Sequence, residues 1–85
     1  HGNNSDIDAG DDEQIIVSST PCKHVDIMAT ITNAGIVYIG DENVTSATGV
    51  ALYSGDVYSI NIENLNLTYA RASIDNQAIQ WVYYN

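Results

Sequence analysis

The sequence predicts an all-β fold, a compact β-sandwich or small barrel of about seven short, mostly antiparallel strands behind a flexible acidic N-terminal arm. Three observations carry that expectation. Short runs rich in Val, Ile, Thr and Tyr recur roughly every eight to twelve residues, each bounded by Gly, Asn, Asp, Ser or Pro. Within the runs, apolar and polar residues alternate with a period of two, which sends one set of side chains to a core and the other to water. No window combines a helical period with helix caps, and no repeat of solenoid length is present.

Residues 1–13 hold Gly, Asn and five acidic residues around one large apolar residue, Ile7. In isolation this is an arm, and residues 14–85 form the domain. Residues 14–18 are a β-branched run and the first strand of the domain. Pro21 cannot donate to a ladder and belongs at a strand start or edge. Residues 22–32 are the second strand, with Val25, Ile27, Ala29 and Ile31 on the core face and His24, Asp26, Met28 and Thr30 on the other. Asn33-Ala34-Gly35 then reads as a hairpin-type turn into residues 36–39, where apolar residues occupy both faces.

Further turns follow at residues 40–43 and at Ser54-Gly55-Asp56, with a short run from Val50 to Tyr53 between them. In residues 57–63, Tyr58, Ile60 and Ile62 face inward while Ser59, Asn61 and Glu63 face water. In residues 65–74, Thr68, Ala70, Ala72 and Ile74 share one face, and the small Ala side chains let a second layer approach closely. Residues 77–84 close the chain, with Ile79, Trp81 and Tyr83 opposite Ala78, Gln80, Val82 and Tyr84. Aromatic residues on both faces of this last strand suggest a covered or interfacial edge.

At 85 residues the chain is one domain. A chain this short buries only about 60% of its unfolded surface, so docking on a partner is a natural source of stability. The net charge is −9, with only Lys23 and Arg71 basic. Phosphate recognition needs clustered cations, so neither nucleic acid nor an anionic membrane surface is an expected partner. Cys22 is the single cysteine, which excludes an intrachain disulfide and reads as a small buried hydrophobe. The chain opens on His1, and a processed, excised or trimmed start is expected. No signal peptide or transmembrane run is visible.

Each candidate chemical site reads more simply as structure. The acidic run from Asp6 to Glu13 has Gly10 and Asp11 where an EF-hand loop wants a ligand and then a glycine, so it is a solvated arm rather than a calcium site. A copper site built on an N-terminal His1 with His24 belongs to much larger domains. Cys22 and His24 are two potential zinc ligands on one strand, with nothing to complete the set. His24 and Asp26 share the wet face of one strand, but no G-x-S-x-G accompanies them, so they are surface hydrogen-bonding groups. Three N-x-[ST] sequons start at Asn3, Asn43 and Asn66. The expectation is a chain with no catalytic residues, no metal and no cofactor.

The stretch Gly35-Ile36-Val37-Tyr38-Ile39-Gly40-Asp41, then Val44-Thr45, Gly49, Leu52, Gly55-Asp56 and Tyr58-Ser59-Ile60, followed by Leu65-x-Leu67-x-Tyr69-Ala70, resembles small β-sandwich structural proteins of tailed bacteriophages. These are of the minor capsid, head decoration (cement) or head-fibre type. The resemblance covers about residues 33–84 and leaves the arm outside. It implies a non-enzymatic virion component on the surface of the phage head, often a homotrimer, whose partners are the major capsid protein and copies of itself. Ile36, Tyr38, Trp81, Tyr83 and Tyr84 are the expected subunit contacts. Ile7, Ile15 and Ile16 are the expected contacts of the arm with a neighbour or the shell. The alternative is a receptor- or glycan-binding module excised from a phage fibre or cell-surface protein, with exposed Tyr and Trp as its platform.

Overall fold

A computed structural model describes residues 2–9, 13–16, 19–41, 44 and 48–84. Among them the chain forms eight strands and no α-helix: β1 (Gly2–Ile7), β2 (Glu13–Gln14), β3 (His24–Ala29), β4 (Val37–Gly40), β5 (Val50–Leu52), β6 (Val57–Ile60), β7 (Tyr69–Ala72) and β8 (Gln77–Tyr84). They make two four-stranded sheets. Sheet A runs β1-β8-β3-β6 and sheet B runs β2-β7-β4-β5, with every pair antiparallel. The all-β expectation holds, with two packed sheets.

Of consecutive strands, only β4 and β5 pair with each other; every other connection passes from one sheet to the other. That strand order is the double Greek key of a jelly roll. It corrects the expected hairpin at Asn33-Ala34-Gly35. β3 pairs with β6 and β8, so the segment after it crosses to sheet B instead of folding back. The crossing is clamped by side chains. Asn33 donates to the Ala78 carbonyl at 2.7 Å and accepts from its N–H at 2.8 Å, while the Gly35 N–H donates to Gln77 Oε1 at 2.9 Å. Gly35 is needed for close approach: a Cβ there would come within 2.7 Å of the Ser73 and Ile74 side chains. Gly55 is needed for its φ of 86°. With the Asp56 N–H donating to the Tyr53 carbonyl at 2.9 Å, it takes the third position of a type II turn.

The core lies between the sheets, and the period-two reading places most of it. Val25, Ile27, Ala29, Ile79 and Trp81 come from sheet A, and Val37, Ile39, Leu52, Ala70 and Ala72 from sheet B. Tyr58, Ile60, Ile62 and Tyr83 pack on this core while partly buried. Ile31 and Ile74 depart from the expectation, at 73% and 46% exposure. Both lie beyond the ends of their strands, where the alternation no longer binds the backbone to a face. Residues 65–67 are a 3-10 turn rather than strand, opened by Asn64, whose side chain accepts from the Asn66 N–H.

Two further expectations are corrected. Residues 2–7 of the arm are a strand, because the Asn-rich backbone pairs with β8 and drives Ile7 to 0% exposure. β8 is an interior strand, between β1 and β3, so its two-faced aromatic pattern reflects a core face and a solvent face rather than an edge. The remainder of the arm, residues 10–12, and the sequence around the Asn43 sequon lie outside the described residues, as do Val17, Ser18 and His1.

Candidate functional site

The outer face of sheet A carries the most elaborate side-chain arrangement in the structure. Register sets it. His24 is opposite Tyr84, and Asp26 lies between Ser59 on β6 and Val82 on β8. The next row places Met28 between Val57 and Gln80. Alternation puts all of these on the solvent side, so residues far apart in sequence meet in rows across three strands.

Asp26 is the centre. Its Oδ1 accepts from Ser59 Oγ at 2.6 Å and faces His24 Nε2 at 2.9 Å, while Oδ2 accepts from Tyr84 Oη at 3.1 Å. His24 Nδ1 lies 2.7 Å from Asn61 Oδ1. Both ring nitrogens thus face oxygen acceptors, and only the imidazolium can donate to both. Asn61 first, and Asp26 after it, raise the His24 pKa above its ordinary value. The hydrogen bonds from Ser59 and His24 hold the Asp26 carboxyl below the usual carboxylate range. The Asp26 carboxylate in turn raises the Tyr84 phenol. The His24 and Tyr84 rings are tilted by 41° with centroids 5.8 Å apart.

Each of these side chains has a hydrogen-bond partner within the network. Ser59 donates to Asp26 rather than to His24, and His24 has no acceptor lone pair left in its charged form. Among the described residues no three His, Cys, Asp or Glu side chains lie close enough to hold a metal ion. Beside the network a groove of about 440 Å³ runs over Met28, Val57, Gln80 and Val82, with Asp26 and Asn3 on its lining. Val57, Val82 and Tyr84 expose 60%, 44% and 48% of their surface here.

The expected interface residues are not brought together. Ile36 and Tyr38 are half-buried on sheet B, where Tyr38 lies opposite Arg71. Trp81 is 5% exposed and Tyr83 packs on the core, so both bury their area within the chain; Tyr84 alone of the five is exposed. Ile7 and Ile15 are core residues at 0% and 2%, and Ile16 packs against the same core. The side chains of Cys22 and His24 lie on different faces. Cys22 is buried and its Sγ donates to the Ile62 carbonyl at 3.2 Å, with burial raising the thiol pKa, while His24 stands on the outer face. Asp8 accepts from the Asn76 N–H at 3.0 Å and so serves a turn. The reading of His24 and Asp26 as hydrogen-bonding surface groups agrees with the geometry; Asn61, Ser59 and Tyr84 were missed as their partners, although their solvent-side parity was legible.

No family model matches the chain, and no curated protein or solved structure matches it.

Proposed function

We propose that this chain is a non-catalytic docking module, a decoration component that binds the major capsid protein on the surface of a phage head and stabilises the shell. The observation that carries the reading is the outer face of sheet A, where Val57, Val82 and Tyr84 stand exposed around a fully satisfied hydrogen-bond network. Apolar side chains on a rigid, chemically quiet sheet suit a contact surface. The mechanism is mass action: a module that binds the assembled shell and not its free subunits favours assembly. Jelly-roll connectivity is shared by viral capsid domains and by lectins, so architecture is neutral between this reading and a glycan-binding one. Trp81, the natural stacking platform for a sugar, is buried, which weighs against the glycan reading.

The test is co-sedimentation with empty phage shells, alongside light scattering to read the proposed homotrimer. Saturable binding that Val82→Glu weakens by about tenfold or more is expected, since it places a charge in a desolvated contact. Binding to glycans instead of shells, or a Val82→Glu chain that binds as well as the parent, would overturn the reading.

A further inference from the structure

Among the described residues one long side of the sandwich is left open, and we infer that this side takes an extended peptide segment of a partner protein, with aliphatic residues at alternate positions and Lys or Arg at its ends, added as a strand to β6. Three independent features point there, and none rests on the virion reading.

The first is an unpaired edge. The Ile62 N–H donates to Lys23, and the Ala29 N–H to Asp56, which fixes the phase of the β3–β6 ladder. Tyr58, Ile60 and Ile62 therefore turn their peptide groups toward β3, while Val57, Ser59 and Asn61 turn theirs outward. Among the described residues no strand pairs with that edge, nor with the outer edge of β5, the neighbouring strand of sheet B. A row of outward peptide groups is a template for another strand.

The second is a groove of about 390 Å³ between these two edges, lined by Ile39, Val50, Tyr58, Ile60 and Leu67, and by Thr68. Ile60 and Tyr58 point into the sandwich yet are only partly buried, and Leu67 and Val50 are 49% and 40% exposed. A strand added to β6 sends every second side chain over this groove. Thr68 is 2% exposed, and its hydroxyl has no hydrogen-bond partner among the described residues, an arrangement that costs free energy until something bonds to it.

The third is charge. Asp41 lines the groove, Asp56 precedes β6 and Glu63 follows it. Lys23, beside Glu63, and His24, bonded to Asn61, are the cationic groups near one end of this edge, and Arg71 lies on β7. A second copy of the chain would bring another net −9 to the same place, whereas a segment with basic ends is attracted.

The probe is a synthetic peptide of about nine residues alternating valine and threonine between terminal lysines, mixed with the full ¹⁵N-labelled chain. Binding is expected to slow hydrogen exchange of the Val57, Ser59 and Asn61 amides by about tenfold or more and to shift the methyl signals of Ile60 and Leu67. The same peptide with terminal aspartates is expected to bind more weakly. Val57→Pro removes an outward N–H without touching the β3 ladder and is expected to weaken binding by about tenfold. Thr68→Val keeps the shape of the groove, removes only the orphan hydroxyl, and is expected to weaken binding as well. The inference is overturned if the peptide protects none of the three amides up to about 1 mM. It is equally overturned if the acidic-ended peptide binds as well, or if protection appears in the free chain with rising protein concentration, which would make a second copy the occupant. Val57 also stands on the outer face of sheet A that shell binding reads, so the peptide titration of the parent chain, which leaves that face unchanged, is what makes the two proposals fail separately.

Discussion

The two long sides of the sandwich are made from similar short strands and end differently. On the β1/β2 side, the sheets are tied together. The Ala72 N–H donates to the Asp8 carbonyl at 3.0 Å, the Ala9 N–H to Asp75 Oδ1 at 3.1 Å, and Asn4 Nδ2 to the Ile15 carbonyl at 3.3 Å. Ile7 and Ile15 fill the space beneath. On the β5/β6 side, the inward residues Tyr58, Ile60 and Ile62 stay only partly buried, and a groove remains. The comparison teaches that a sandwich closes where the connecting chain supplies both large apolar residues and side chains that satisfy the edge. Where the connection is a tight turn, as at residues 53–56, the side stays open.

The sharpest way to break this comparison is to truncate one residue on each side. Ile7→Ala, on the closed side, is expected to destabilise the chain by about 2–5 kcal/mol in urea unfolding, because a fully buried side chain leaves a cavity. The turn that spans the open side comes next. Gly55→Ala forces a Cβ into positive φ and is expected to cost about 1–2 kcal/mol by the same measurement. Ile60→Ala, on the open side, is expected to cost about 1 kcal/mol, since the side chain is only partly buried and little cavity forms. A loss as large as that for Ile7→Ala would mean that the open side is packed as tightly as the closed one.

The smallest effect concerns the outer face of sheet A. The His24 pKa is raised, so its contribution to stability is complete below the ordinary imidazole value and is lost as pH rises through the raised one. The Asp26 pKa is depressed, so its contribution is present above the ordinary carboxylate value and is lost as pH falls through the lower one. The network therefore favours the folded chain most between the ordinary carboxylate and imidazole values, in the weakly acidic range. NMR titration of the His24 ring is expected to show a midpoint above 6.5. Asn61→Ala should bring it down, and an unchanged midpoint would show that Asn61 does not hold the imidazolium.

Much of the face pattern was legible one strand at a time. Val25, Ile27 and Ala29 alternate inward, as do Ile79, Trp81 and Tyr83, because burial on one face requires a period of two. Pairing was not legible. The crossing after β3 looks locally like a hairpin, since Asn33 and Gly35 suit a tight turn; they serve instead as a clamp to β8 and a close contact with Ser73. The arm misled for a related reason. Residues 2–7 lack the apolar composition of a strand, but an edge strand needs only backbone partners and one anchoring residue, here Ile7. At the site, His24 and Asp26 were visible as surface polar groups. Tyr84 and Ser59 could not be attached to them without the register.

What the sequence by itself determined was the class of fold, the inward and outward faces of most strands, and a surface of one charge sign. Each follows from local alternation or composition, which need no partner strand. Only the tertiary structure decided that, among the described strands, one connection is a hairpin and β8 is central, that four side chains gather around Asp26, and that one side of the sandwich stays open among the described residues. These depend on which backbone meets which, and a strand's hydrogen-bonding groups are the same whatever its sequence.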